Sequence, residues 1–252
     1  MKLSYSIYYP GGNATALVNQ LIINPYLKRR INDKIMSENP QVEQVGFIDQ
    51  KTYRLEMAGG EFCGNATRCA AYYYLGGKPG KIKITVSGVR GKLTVGIDIK
   101  NNAWAQIPFS TPPITKKLGY SIVNLQGITQ VITASKPGKR KAKIILNQLG
   151  LTTSVPAAGV MFIKKDQNKI ELDPFVWVHD IKTFFNETAC ASGTAAVGYY
   201  LAKKNNQALQ LAIIQPSKES INVAVKLIAN QLPQVKISGP IKILQTGLCI
   251  RI

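Results

Sequence analysis

The chain has 252 residues, 45% of them hydrophobic and 18% charged, ample apolar material for one large core or two smaller ones. Lys and Arg outnumber Asp and Glu 32 to 13, a formal charge of +19. That surplus would suit a nucleic-acid partner. The lysines are scattered, however, and the densest run, Lys136-Pro-Gly-Lys-Arg-Lys-Ala-Lys143, holds no aromatic residue for base stacking. The excess charge reads as solvated surface, and a basic nucleic-acid-binding protein is the rival from another class. No run approaches the roughly 18 apolar residues of a membrane span, and the opening Met1-Lys2-Leu3-Ser4 is too polar for a secretory signal. The expectation is a cytoplasmic protein, monomer or homodimer, without nucleic-acid or membrane partners.

In chain order, the pattern predicts a helix over 25–36, a strand over 44–49 and a helix of small and aromatic residues running to Leu75. Alternating strands follow at 82–87 and 92–97. Three prolines in Pro108-Phe-Ser-Thr-Pro-Pro-Ile-Thr115 argue for a linker, since proline suits neither helix interior nor central strand. Beyond it come a helix over 139–148, a strand over 158–164 and a strand-like run, Phe175-Val-Trp-Val-His-Asp180. A second helix of small and aromatic residues ends at Leu201, and strands are expected at 211–215, 221–226, 234–238, 241–245 and 248–252.

The two small-residue helices match. With Cys63 laid on Cys190, Thr67 falls on Thr194, Tyr72 on Tyr199 and Tyr73 on Tyr200. Each helix is preceded by an apolar strand and followed by two alternating ones, as if one unit were used twice. The expected fold is α+β: two pseudo-symmetric halves, 1–112 and 113–238, each a mixed, largely antiparallel sheet wrapped around a central helix. The final strands, 239–252, return to the first half.

Of the cysteines, Cys63, Cys69, Cys190 and Cys249, none forms a CxxC pair, and the single histidine, His179, has no zinc-ligand spacing to them. No metal, cofactor or disulfide framework is implied. Cys63 and Cys190 sit where a loop becomes a helix, a place rich in free N–H groups and partial positive charge. That environment binds a carboxylate and lowers a thiol pKa. Two such starts facing each other would hold an amino-acid carboxylate on the N–H groups of Gly64, Asn65, Ala191 and Ser192. A sulfur would then stand on each face of the α-carbon, one as base and one as acid, which is the chemistry of stereochemical inversion. Cys69 and Cys249 are expected to pack in the core, His179 to be non-catalytic and Arg68 to form a structural ion pair. Glu187 either polarises the site or caps the second helix.

These motifs carry a resemblance. Cys63-Gly-Asn-Ala-Thr-Arg-Cys69 resembles the Cys-Gly-Asn-Gly-x-Arg-Cys motif of the diaminopimelate epimerase family, and Glu187-Thr-Ala-Cys-Ala-Ser-Gly193 resembles its second cysteine motif. Gly12-Asn13 and Glu43-Gln44 are similar to further family motifs. A closer resemblance is to histidine racemases of the staphylopine metallophore pathway on the same fold, through Pro10-Gly-Gly-Asn13, Glu43-Gln-Val-Gly-Phe-Ile48 and Glu61-Phe-Cys-Gly-Asn-Ala-Thr67. The resemblance implies a cofactor-independent two-cysteine mechanism, with Glu43 as an active-site residue and Asn13 and Gln44 beside the substrate.

Three departures argue against diaminopimelate itself as substrate. Met57-Ala-Gly-Gly60, Gly159-Val-Met-Phe162 and Thr183-Phe-Phe-Asn186 stand where the epimerases carry the polar groups for the second amino-acid end. Without them that end would be left unpaired. Phenazine-biosynthesis relatives lack the paired cysteines, and proline-racemase-like enzymes carry Cys-Gly-His where this chain has Cys-Gly-Asn. The expected reaction is racemisation of a single-headed amino acid, histidine foremost, with diaminopimelate epimerisation as the alternative.

Overall fold

The computed structural model describes residues 2–167 and 169–252. The chain opens with β1 (Lys2–Tyr9) and β2 (Ala14–Val18), followed by α1 (Pro25–Glu38). The Asn24 side chain accepts the Leu27 N–H, and Pro25 sits at the first helical turn, where its missing N–H costs nothing. Then come β3 (Val42–Asp49), β4 (Arg54–Met57), α2 (Gly64–Tyr74), β5 (Gly80–Val86), β6 (Lys92–Ile97) and β7 (Asn102–Gln106). A similar series follows: β8 (Phe109–Lys117), β9 (Tyr120–Leu125), β10 (Ile128–Thr133), α3 (Lys139–Leu149), α4 (Leu151–Ser154), β11 (Ala157–Asp166), β12 (Lys169–Val178) and β13 (Thr183–Asn186). The chain finishes with α5 (Ala191–Asn205), β14 (Leu209–Ile214), β15 (Ser220–Lys226), β16 (Gln234–Pro240) and β17 (Lys242–Arg251).

The pairing pattern repeats. From β2, the neighbours β3, β4, β5, β6 and β7 join parallel, antiparallel, parallel, antiparallel and antiparallel. From β10, the neighbours β11, β12, β14, β15 and β16 join in the same order of senses. β7 and β16 pair antiparallel and link the two series. β17 pairs with β1, while β8 pairs with β9. The result is a mixed, sheet-rich α+β fold with few helices.

α2 and α5 are the buried helices. Residues 64–71 of α2 and 191–199 of α5 are all buried, so each helix is covered on every face rather than along one stripe. Small residues permit this: a methyl on Gly198 would lie 2.7 Å from the Val223 side chain. α1 and α3 cover outer faces of the sheet with Ile31 and Ile35, and with Ile145 and Leu146.

Three expectations need correction. From Phe109 onward the proline segment is not a linker but part of β8. Its register with β9 skips from Phe109 to Ile114, so Pro112 and Pro113 lie in an unpaired bulge where no ladder bond is lost. The two expected final strands are one, because Gly247, at φ +69°, is absorbed in a bulge opposite Ser6. Cys249 is exposed rather than packed, since the alternation of β17 turns its neighbour Ile250 into the core instead.

Candidate active site

Cys63 and Cys190 have the same local structure. Each is the residue capping the start of its helix, in extended conformation (φ −125° and −131°). The Cys63 sulfur accepts the Ala66 N–H at 3.4 Å and the Cys190 sulfur accepts the Gly193 N–H at 3.3 Å. Thr67 and Thr194, matched in sequence, donate their hydroxyls to the carbonyls of the two cysteines at 2.7 and 2.8 Å. The two helix starts abut: a methyl on Gly64 would lie 3.0 Å from the Ala191 Cβ and 3.4 Å from the Ser192 N. Glycine is what lets them approach this closely.

Between these starts lies a cavity of about 40 Å³. The sequence-derived residues Asn13, Glu43, Gln44, Cys63, Gly64, Asn65, Glu187, Cys190, Ala191 and Ser192 all line it. Asn13 and Asn65, far apart in sequence, both donate to the Ala189 carbonyl at 3.0 Å and so tie the Cys190 loop to the first cysteine's helix. The Cys63 thiol donates to the Gln44 Oε1 at 2.9 Å, and Gln44 donates to the Thr15 hydroxyl at 2.7 Å. The Glu43 carboxylate accepts the Thr188 N–H at 3.0 Å and also the Thr188 hydroxyl. Ser192 lies 3.5 Å from the Cys190 sulfur and accepts from Gln130 at 3.0 Å.

Four supporting residues escaped the sequence reading. Thr188 and Glu61 lie inside the quoted motifs but carried no assigned task. Gln130, within β10, and Gln215, just after β14, left a faint signal, each an amide beside an apolar run, and a buried amide must find partners. Gln215 accepts the Cys190 N–H at 3.0 Å and donates to Thr194 and to the Ile213 carbonyl. On the other side Ser87 accepts the Met57 N–H at 2.9 Å and donates to the Glu61 carbonyl at 2.7 Å, fixing the approach to Cys63.

Electrostatics revises one expectation about the thiols. Burial pushes both well above the ordinary thiol range; nearby Glu187 and Glu61 add to this for Cys63, and Glu187 for Cys190. The helix N–H groups act the other way without offsetting burial. The helix starts do not yield resting thiolates, because loss of water outweighs a few partial charges in so enclosed a place.

Three carboxyls share the cavity. Burial lifts Glu43 above the usual range, Glu61 to about 7 and Glu187 to about 8. Glu187 does not cap α5, a task taken by Cys190 itself; it faces the Cys190 thiol and Asn13. Among the described residues no Lys, Arg or His lines the cavity. The N–H groups of two helix starts and three carboxyls on one cavity match the two charges of an amino-acid head.

Arg68 also departs from expectation. It is fully buried and makes no ion pair with any described residue; its guanidinium donates to the Pro10 carbonyl at 2.7 Å and to Asn65 at 3.0 Å. Burial lowers its pKa to about 10. His179 is outside the cavity and bonds Asp180 at 2.8 Å. Among the described residues no group of three or more His, Cys, Asp or Glu is arranged to hold a metal, and no helix is long and apolar enough to cross a membrane.

A solved structure of a phenazine biosynthesis protein, PhzF family, from Bacillus anthracis superposes over 100% of both chains at TM-score 0.66 and 13% identity. A hydroxyproline epimerase from Agrobacterium vitis superposes over 98% of this chain and 93% of that one at TM-score 0.62 and 10% identity. At these identities the likeness is one of fold. A histidine racemase of Fusobacterium nucleatum is 32% identical, covering 94% of this chain and 93% of that protein. The family model described as the histidine racemase CntK N-terminal domain matches residues 2–249. The chain belongs to the histidine racemase family.

Proposed function

We propose that this protein racemises histidine by a two-base mechanism, without metal or organic cofactor, using Cys63 and Cys190. The observation that carries the reading is the pair of equivalent cysteines capping abutting helix starts on one cavity. The substrate carboxylate takes the N–H groups of Gly64, Asn65, Ala191 and Ser192, and Glu43 receives the ammonium group. Glu187 accepts the Cys190 proton, and the thiolate so formed removes the α-proton. Cys63, held as a thiol against Gln44, delivers a proton to the opposite face; the reverse sequence serves the other enantiomer. Water exclusion strengthens each of these interactions.

The repeated pairing of strands supports two pseudo-symmetric halves, 1–112 and 113–238, of diaminopimelate-epimerase type, with 239–252 completing the first. The protein is read as cytoplasmic, a monomer or homodimer acting on a free amino acid, with no nucleic-acid or membrane partner. Val176, Val178, Ile181 and Phe185 line the cavity and give it an apolar wall. That favours histidine over diaminopimelate, whose far end carries two charges.

The test is α-proton exchange in deuterated water with histidine, diaminopimelate and the other common amino acids. Exchange on histidine is expected. Efficient turnover of diaminopimelate with none of histidine would refute the substrate assignment.

A further inference from the structure

We infer that Glu61 is a specificity residue of this site, its free carboxyl oxygen receiving an N–H of the substrate's imidazole. The inference rests on the histidine racemase reading above and concerns a residue that reading leaves without a task. Glu61 is 7% exposed and lines the cavity. Backbone N–H groups of Glu61 and Gly59 face its carboxyl, but Oε2 is buried with no hydrogen-bond partner and no cation beside it among the described residues. A buried oxygen in that condition costs free energy until a donor arrives.

Its surroundings identify the donor. Glu61 Oε2, Val178 Cγ1 and Ile181 Cγ1 lie 2.7, 2.5 and 3.4 Å from the point where a Gly59 Cβ would stand. Any side chain at 59 would displace the carboxyl, so glycine makes room for it. Val176, Val178, Ile181 and Phe185 continue the same wall of the cavity. An apolar wall carrying one acceptor suits a flat, largely apolar ring with an N–H on its edge. Glu61 precedes Cys63 by two residues, lines the same cavity and acts electrostatically on the Cys63 thiol, so the acceptor shares the pocket of the reacting sulfur.

The proton state fits the same partner. Burial lifts the Glu61 carboxyl to about 7, Asp180 adding to the effect, and Glu43, Glu187 and the Cys63 and Cys190 thiols are the other titratable groups around the cavity. Near neutral pH the pair of Glu61 and an imidazole shares one proton whichever of them carries it. The contact stabilises ground state and transition state alike, because the ring does not react. Its loss therefore raises KM rather than lowering kcat.

The experiment compares the wild-type protein with Glu61→Gln in deuterated water, following KM and kcat for α-proton exchange on histidine. KM should rise about tenfold or more, by a larger factor than any fall in kcat. A KM within about twofold of wild type in a variant that melts as a folded protein would overturn the inference. Histidines methylated on one or the other imidazole nitrogen test it on the wild-type chain alone. Methylation of the nitrogen that meets Glu61 should raise KM about tenfold, and equal KM values for histidine and both methyl derivatives would overturn it. If the wild type exchanges no α-proton of histidine, the underlying substrate reading fails and the inference falls with it. Normal wild-type exchange with an unchanged variant KM removes the inference alone.

Discussion

Replacing Glu187 by Gln isolates the step that makes a base. In the resting protein the Cys190 thiol is held well above its ordinary range, first by burial and then by the Glu187 carboxyl beside it. Glu187 stands at about 8, raised by burial and by Glu43 and Glu61, and lowered by its bonds to Cys190 and Asn13. A carboxyl at that value is protonated at lower pH and cannot take the thiol proton; above about 8 it can. The rate in the direction that uses Cys190 as base should therefore rise with pH and level off above about 8. Glutamine keeps the shape and removes the acceptor. General-base assistance is worth about 10²- to 10⁴-fold, or about 3–5 kcal/mol of barrier, and the variant should lose that much while its pH profile flattens. The assay is deuterium uptake at the α-carbon of L- and D-histidine, taken separately across pH. A Glu187→Gln enzyme within about threefold of wild type, with the same rise in pH, would refute the reasoning.

Glu61 yields a stability prediction of determined sign. Its folded-state pKa lies above the 4.5 of the free side chain, at about 7, so the folded protein favours the protonated form. That contribution is present below about 4.5 and is lost as pH rises through about 7, a change of about 3 kcal/mol. Relative to wild type, Glu61→Gln should thus gain stability between pH 5 and pH 8 in urea unfolding; a constant difference would contradict the burial argument. Gly193→Ala places a methyl 2.1 Å from the Met161 sulfur and 3.1 Å from the Cys190 sulfur. It should cost about 1–3 kcal/mol in urea unfolding, and an unchanged midpoint would mean the α5 start has slack. Iodoacetamide at neutral pH should label exposed Cys249 before Cys63 or Cys190, as read by peptide mass mapping. Faster labelling of either cavity cysteine would show that burial does not govern these thiols.

The site was more legible in sequence than its electrostatics. Cys63 and Cys190 were found because a duplicated helix start repeats its small residues and its threonine, and the Thr67 and Thr194 hydroxyls make the same bond in the structure. Glu43 and Asn13 came only through family motifs, since their partners Thr188 and Ala189 are 145 and 176 residues away. The thiol pKa was misjudged because a helix start is a local feature, whereas burial depends on everything folded around it. Arg68 shows the same limit: an arginine on a helix reads as an ion pair until the fold buries it against the Pro10 carbonyl and the Asn65 side chain. For the fold, alternation and small-residue helices marked the central elements. Pro112, Pro113 and Gly247 misled because bulges hold residues that would otherwise end a strand.

The central claim is that two sulfurs divide one inversion, and the most direct measurement is α-deuterium uptake by Cys63→Ser and Cys190→Ser with each enantiomer of histidine. Wild type should exchange the α-proton of both L- and D-histidine and interconvert them. Each serine variant should lose racemisation by about 10²-fold or more, while melting as a folded protein. Either variant racemising at a rate close to wild type would contradict the two-cysteine mechanism.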